Sequence, residues 1–209
     1  MKTEDYHQPL LPNNTYHLFS RAVCSEKLFK DEENYFFFLR KLKQHTDCVC
    51  QFYTYSLLPN HFHLLARIKT AEEIVLAFQQ VKKKQFDEKL HVLTDFIMER
   101  FSNLLNSYTK AFNKRNNRKG ALFIDYIKRS LAKDDTDFAT FIWYIHKNAV
   151  HHGYTKSIGD WQFDGYRSLL SERSTNLLRK KVIDFFWNKE QYIYFHQQPV
   201  DLKNDMVDV

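Results

Sequence analysis

The stretch from residue 49 to residue 68, VCQFYTYSLLPNHFHLLARI, constrains the fold more than any other part of the chain. It contains two runs of apolar, aromatic and β-branched residues, and Pro59 and Asn60 separate them. Such runs are typical of strands, and a Pro-Asn pair favours a tight turn. The pattern therefore predicts a β-hairpin with strands over 49–58 and 61–68.

The second strand of this hairpin carries two histidines one residue apart. Because side chains alternate across a strand, we expect His61 and His63 to share one face, while Phe62 and Leu64 pack on the other. Imidazole is a common metal ligand, so two imidazoles on one face favour a metal site. The alternative is a pair of core histidines satisfied by hydrogen bonds. The pair alone does not identify the metal, since many hydrolases use the same spacing.

Hydrophobic periodicity accounts for most of the remaining chain. It predicts further strands over 16–23 and 121–129, and helices over 29–45, 71–90, 94–115, 137–152 and 177–195. This order favours an α+β fold, in which an antiparallel sheet packs against helices in a ferredoxin-like (split β-α-β) layout. We place the main domain at residues 1–171 and a C-terminal helix with a polar tail at residues 172–209.

The helix predicted over 137–152 carries a second group of polar side chains. Tyr144 and Asn148 are four residues apart and therefore lie on one helical face. The opposite face carries an apolar stripe that is expected to face the core: Phe138, Phe141, Ile142, Ile145 and Ala149. A phenol and an amide near two imidazoles would supply two nitrogen ligands, one oxygen ligand and a nucleophile. The alternative is that Tyr144 is a half-buried aromatic residue whose hydroxyl binds water.

The charge of the chain is compatible with a polyanionic partner. Its formal net charge is +6, and positive residues concentrate between Lys110 and Lys133. Aromatic residues make up 16% of the chain, which is enough both for an aromatic core and for rings that stack on unpaired bases. A solvated basic face remains the simpler interpretation of the charge alone.

Cysteine content and hydropathy predict a cytoplasmic protein. The chain has three cysteines and a polar N-terminal segment without the pattern of a signal peptide. It contains no apolar stretch of roughly 18 residues, the length that a membrane span requires. We therefore expect reduced cysteines, a cytoplasmic location and no membrane partner.

Several motifs together resemble the HUH single-tyrosine transposases, especially the REP-associated tyrosine transposases and their insertion-sequence relatives. The resemblance covers residues 14–170, and the motifs that carry it are YHLFSRAV, LPNHFHLL, YTKAFNKRNNRKGALF, FIDYIKRSL, YIHKNAVHHG and DWQFDGY. The chain departs from the family pattern at Leu58, where relatives usually have Met, and at Ala149, where they usually have Pro. The second departure affects how the helix ends but removes no reacting group.

The resemblance implies an activity and assigns residues to it. His61 and His63 match the two histidines of the HUH motif, Tyr144 matches the nucleophile, and Asn148 matches the third metal ligand. Such an enzyme cleaves and rejoins single-stranded DNA near hairpins through a 5′-phosphotyrosine intermediate, with Mg²⁺ or Mn²⁺ as cofactor. Relatives that form dimers can exchange the tyrosine helix, so a homodimer is one arrangement that the resemblance implies. The location would be the nucleoid of a prokaryote.

The basic segment supplies candidate DNA-binding residues. We expect six side chains to contact the backbone or to stack on bases: Arg118, Lys119, Phe123, Tyr126, Lys128 and Arg129. Two other functions remain open at this stage. One is a catalytically inactive protein of the same fold that binds single-stranded nucleic acid. The other is a hydrolytic metalloenzyme that uses the HxH pair and forms no covalent adduct.

Overall fold

A computed structural model describes residues 6–87 and 89–200. Within these residues the chain forms four strands: β1 (Thr15–Arg21), β2 (Cys50–Leu58), β3 (His61–Ile68) and β4 (Lys128–Leu131). The described residues also form seven helices: α1 (Glu32–Thr46), α2 (Ala71–Lys82), α3 (Leu90–Arg115), α4 (Asp135–His151), α5 (Tyr166–Leu170), α6 (Arg179–Phe185) and α7 (Lys189–Gln197).

The four strands form one antiparallel sheet in the order β2-β3-β1-β4. This order is that of a split β-α-β sheet, because β3 lies between β1 and β2, the two strands that α1 connects. The predicted α+β fold is therefore confirmed. The hairpin of β2 and β3 also has the predicted bounds to within one residue, with Pro59 and Asn60 at its turn.

The two faces of the sheet pack against different helices. Leu18, Phe62 and Leu64 belong to a core cluster that includes α1, α2 and α3. Leu65, which points to the opposite face, belongs to a second cluster that includes α4 and the C-terminal helices. The strict alternation of β3 therefore sends Phe62 to one core, and His61 and His63 to the side covered by α4.

Aspartate side chains cap the N-termini of α1 and α4. The Asp31 carboxylate accepts a hydrogen bond from the backbone N–H of Asn34, and Asp134 does the same for Asp137, at 3.0 and 2.8 Å. Both acidic caps satisfy an N–H group that a helix start leaves without an intrahelical partner. They fix where α1 and α4 begin.

Three predicted elements are wrong. The helix predicted over 71–90 ends at Lys82, because Lys83 has a left-handed backbone with φ 53°. The strand predicted over 121–129 overlaps the observed strand, Lys128–Leu131, by two residues. Residues 121–127 have no regular secondary structure, and the buried side chains of Leu122 and Ile127 hold them against the core. The single helix predicted over 177–195 is two helices, since Trp187 has a positive φ of 68° and Asn188 caps a new start. The short helix α5 was not predicted.

The C-terminal helices share a core with α4. Val182, Phe186 and Tyr192 are buried in the same cluster as Phe141 and Ile142. Thus residues beyond 171 pack against α4, where Phe138 meets Phe185 and His146 meets His196. None of the helices among the described residues is long and apolar enough to cross a membrane.

Candidate active site

Three histidines lie together on the face of the sheet that α4 covers. His61 and His63 come from β3, and His17 comes from the neighbouring strand β1. All three are buried, and the His17 and His63 rings stack with centroids 5.0 Å apart. The strand alternation that places His61 and His63 on one face therefore brings a third imidazole to the same place.

Helix α4 brings Tyr144 and Asn148 against these histidines. The Oδ1 atom of Asn148 lies 2.9 Å from Nε2 of His61. The Tyr144 ring meets the His63 ring edge to face, with centroids 5.3 Å apart. The four residues that sequence reasoning placed in one site are therefore adjacent, although they come from two elements more than 80 positions apart.

The predicted surroundings of Tyr144 and Asn148 are wrong. The prediction placed them on a helical face separate from the packed stripe, whereas both are buried and Tyr144 is only 4% exposed. Helix α4 is covered on both sides, because Tyr144 and Phe141 contact histidines of the sheet, while Phe138 and His146 contact Phe185 and His196 of the C-terminal segment. The site is therefore closed to a large substrate in this arrangement.

His61 has a hydrogen-bonding conflict that a metal ion would remove. Its Nδ1 lies 2.8 Å from Asn60 Oδ1, and its Nε2 lies 2.9 Å from Asn148 Oδ1. Burial lowers the pKa of His61 to about 4, so the ring is neutral and carries one N–H. One of its two contacts therefore pairs an acceptor with an acceptor, unless the Asn148 amide rotates half a turn to donate Nδ2–H. A cation bound to Nε2 and Oδ1 removes the same conflict.

His63 has a buried ring nitrogen that could bind a metal. Burial, followed by the neighbouring His17, holds the pKa of His63 well below its ordinary value, so this ring is also neutral. Its Nε2 is buried and, among the described residues, has no hydrogen-bond partner. The Nδ2 of Asn148 is also buried and has no hydrogen-bond partner among these residues. Unpaired polar atoms in a buried site indicate a missing partner, which is a water molecule or a bound ion.

These donors fit a divalent cation held by mixed nitrogen and oxygen ligands. Within residues 6–87 and 89–200, no three His, Cys, Asp or Glu side chains gather in a way that could hold a metal ion. The donor set is instead two imidazole nitrogens and one amide oxygen, which leaves coordination positions for a substrate. Such a set accepts Mn²⁺ or Mg²⁺ as well as later transition metals.

Three residues near this site were missed by sequence reasoning. His17 contacts His63, with 2.8 Å between His17 Nε2 and His63 Nδ1. Arg21 pairs with His61 across β1 and β3, and the His152 ring lies 4.7 Å from the His61 ring. The signal for His17 and Arg21 was the alternation of β1, which puts them on one face. This alternation places His17 and Arg21 beside the histidines of β3 only because β1 pairs with β3.

Arg21 gives the site a positive charge. It contributes, after burial and the His152 ring, to the lowered pKa of His61. It also contributes to the lowered pKa of His152, again after burial. Because Arg21 is exposed and pairs with the buried His61, the protein surface beside the histidines carries a positive charge that attracts anions.

Three of the six predicted DNA-binding side chains have structural roles instead. Phe123 lies in the core, and Arg129 is 5% exposed and donates to the backbone carbonyls of Gln8, His7 and Ile127. Arg118 donates to the Glu26 carboxylate at 2.9 Å and to two backbone carbonyls. Burial and these partners argue against direct DNA contact by the three residues.

The other three lie at the surface. Lys119 is exposed, Lys128 is half-buried at the start of β4, and the Tyr126 side chain is 66% exposed. Tyr126 and Lys128 line a shallow groove together with Arg21, and Phe19 forms the wall of that groove. Phe19 also stacks on the His17 ring at 5.0 Å. The groove therefore lies next to the histidines, separated from them by a single ring.

Comparisons with known proteins agree with the sequence motifs. No protein-family model matches the chain. A putative REP-associated tyrosine transposase from Haemophilus influenzae is 23% identical to it over 124 residues, which is 56% of this chain and 62% of that relative. A solved REP-associated tyrosine transposase bound to a REP hairpin superposes with a TM-score of 0.59 and 14% identity, covering 81% of this chain and 86% of the other.

These findings support the HUH tyrosine transposase family. The solved structure shows a shared fold at a level of identity that carries no functional detail. The chain spans about three fifths of the length of the curated relative that it matches. The chain is therefore similar to a REP-associated tyrosine transposase in its motifs and shares the fold of another.

Proposed function

We propose that this protein cleaves and rejoins single-stranded DNA next to a hairpin through a covalent 5′-phosphotyrosine intermediate. The observation that carries the proposal is the convergence of Tyr144 and Asn148 of α4 on His61 and His63 of β3. A relative named as a putative REP-associated tyrosine transposase and a structural neighbour bound to a REP hairpin support a hairpin substrate. All four side chains come from one chain in this arrangement.

Tyr144 acts as the nucleophile in this proposal. Its phenolic oxygen attacks the scissile phosphorus, the bond from phosphorus to the 3′ oxygen breaks, and the 5′ phosphate becomes esterified to Tyr144. The phenol loses its proton and the departing 3′ oxygen gains one, so the step is balanced. In the second step a 3′ hydroxyl attacks the phosphotyrosine, which restores Tyr144 and a phosphodiester. The ester retains the energy of the cleaved bond, so rejoining needs no nucleotide cofactor.

His61, His63 and Asn148 would hold the divalent ion, Mn²⁺ or Mg²⁺. When bound, such an ion supplies charge stabilisation for the phosphate oxygens and the leaving oxygen. The chain's own contribution is to keep both imidazoles neutral by burial, because only a neutral imidazole nitrogen can coordinate a metal. It also keeps Tyr144 within reach of the ligands.

The reaction requires an opening movement. Tyr144 is 4% exposed and His63 and Asn148 are fully buried, so a phosphodiester cannot reach the hydroxyl in the closed arrangement. We propose that hairpin binding at the groove beside Arg21, Tyr126 and Lys128 accompanies this opening. Arg21 and Lys128 supply two positive charges against the one carboxylate of Asp125, and Tyr126 supplies an exposed ring, which together suit a backbone phosphate and an unpaired base.

The test is a denaturant-resistant adduct. The protein is incubated with a hairpin-bearing single-stranded oligonucleotide from DNA flanking its gene and with Mn²⁺, and the products are separated under denaturing conditions. We expect an adduct with the wild type and none with Tyr144→Phe, which keeps the ring and removes only the hydroxyl. Tyr154→Phe is the matched control, because Tyr154 is exposed just beyond α4, and it should form the adduct normally.

The burial of Tyr144 is also the observation that favours the alternative function, an inactive protein that binds the same DNA. That protein would bind the hairpin in a mobility-shift assay and form no adduct with any metal. Cleavage with no adduct would indicate the hydrolytic metalloenzyme instead. Adduct formation by Tyr144→Phe would refute Tyr144 as the nucleophile.

A further inference from the structure

His17 contacts both His63 of β3 and Tyr144 of α4. Its Nε2 lies 2.8 Å from Nδ1 of His63, and its ring meets the Tyr144 ring edge to face at 5.7 Å between centroids. Phe19 and Phe141 pack on the same imidazole, at 5.0 Å each, and hold its orientation. His17 is not one of the proposed ligands, since its ring nitrogen faces a ligand's ring nitrogen.

A pair of neutral imidazoles joined in this way shares one hydrogen, and its position decides which nitrogen of His63 is free. If His63 Nδ1–H donates to His17 Nε2, the lone pair of His63 lies on Nε2. If His17 Nε2–H donates instead, His63 carries its proton on Nε2. That nitrogen is buried and has no partner among the described residues. The second arrangement therefore buries an unpaired N–H group, which is costly, and blocks the nitrogen that a metal needs.

We propose that His17 is a positioning residue that fixes the tautomer of His63. It accepts the hydrogen bond from His63 Nδ1–H and so keeps the Nε2 lone pair directed into the site shared with His61 and Asn148. This inference rests on the metal site of the proposed function. A ligating histidine commonly has its second nitrogen bonded to a neighbouring group, and removing that neighbour weakens metal binding by about 10- to 100-fold.

Three variants separate the hydrogen-bond acceptor from packing. His17→Leu removes the acceptor and keeps an apolar side chain in the same space. His17→Gln restores an acceptor, because its amide oxygen reaches about as far as Nε2 of the imidazole. Phe19→Leu is the matched packing control, since Phe19 stacks on both His17 and His63 and forms no hydrogen bond through its ring.

The first readout needs no metal and no DNA. Long-range ¹H–¹⁵N correlation spectra of ¹⁵N-histidine protein report which nitrogen of each ring carries hydrogen, and His63→Gln identifies the His63 signals. We expect Nδ1–H on His63 in the wild type and in His17→Gln, and a shift toward Nε2–H in His17→Leu. A wild-type His63 that carries its hydrogen on Nε2 would overturn the proposal, whatever the behaviour of the variants.

The second readout is the dissociation constant for Mn²⁺ measured by titration calorimetry. We expect His17→Leu to bind about 10- to 100-fold more weakly than the wild type, and His17→Gln and Phe19→Leu to bind within a few-fold of it. Equal affinity in the wild type and His17→Leu would overturn the role of His17. Failure of the wild type to bind Mn²⁺ would instead refute the metal site of the proposed function, even with the expected tautomer.

Discussion

Acidification should destabilise this protein steeply, because its interior holds histidines that burial keeps neutral. Burial lowers the pKa of His17 to about 3 and those of His61 and His196 to about 4, and it holds those of His63 and His146 well below their ordinary value. In the unfolded chain all five regain a pKa near 6.5. Between pH 6.5 and about 4 the unfolded state therefore binds more protons, so stability falls as the pH falls.

The magnitude follows from the linkage relation. Between pH 7 and pH 5.5, each imidazole that stays neutral in the folded state removes about 1.3 kcal/mol from the free energy of unfolding, so the five remove about 6 kcal/mol. Asp164 opposes this loss, because burial raises the pKa of its carboxyl to about 7. As it protonates in the folded state it returns about 1.5 kcal/mol over the same interval. The net loss is about 5 kcal/mol, which is comparable to the whole stability of many domains.

The assay is guanidinium denaturation of the metal-free protein at half-unit steps from pH 7 to pH 5.5. His196→Gln removes one of the five imidazoles and should reduce the slope by about 1.4 kcal/mol per pH unit near pH 5.5. His151→Gln, which changes an exposed histidine, should leave the slope unchanged. A total loss below about 2 kcal/mol in the wild type would show that these rings do not stay neutral on folding, and would refute the reasoning.

Three further predictions follow from burial and partners. Tyr192→Ala, at a fully buried position under α4, should cost about 3–5 kcal/mol in chemical denaturation, whereas Tyr194→Ala, at a position 58% exposed on the same helix, should cost little. Lys128→Ala should weaken hairpin binding and reduce the slope of log affinity against log salt concentration by about 1, the value for one phosphate contact. An unchanged slope would show that Lys128 does not contact a DNA phosphate. Arg118→Ala should lower stability by about 1–3 kcal/mol, because it leaves the Glu26 carboxylate and two backbone carbonyls without their donor, while the salt dependence of hairpin binding stays the same.

The parts of the site that the sequence predicted depend on local periodicity. Alternation on β3 places His61 and His63 on one face whatever the rest of the fold does. The four-residue spacing does the same for Tyr144 and Asn148 on α4. The order of the predicted elements was sufficient to predict the α+β class, because a hairpin and a crossover helix allow few arrangements of four strands in one sheet.

The remaining features depend on contacts between distant segments. His17 becomes part of the site only because β1 pairs with β3, and no local pattern specifies that pairing. Arg129 resembles a surface cation in sequence, yet it is buried because the backbone carbonyls of residues 7 and 8 lie beside it. Tyr144 is buried because its ring packs against His17 and His63, which come from strands far from it along the chain.

The most direct test of the account is to find which residue carries the DNA after reaction with a hairpin-bearing single strand and Mn²⁺. The adduct is digested with nuclease and trypsin, and the modified peptide is sequenced by mass spectrometry. The account predicts a nucleotide joined through a phosphotyrosine bond at Tyr144 alone, because among the described residues Tyr144 is the tyrosine whose ring packs on His63. A modification on the exposed Tyr126 or Tyr154, with Tyr144 unmodified, would contradict it.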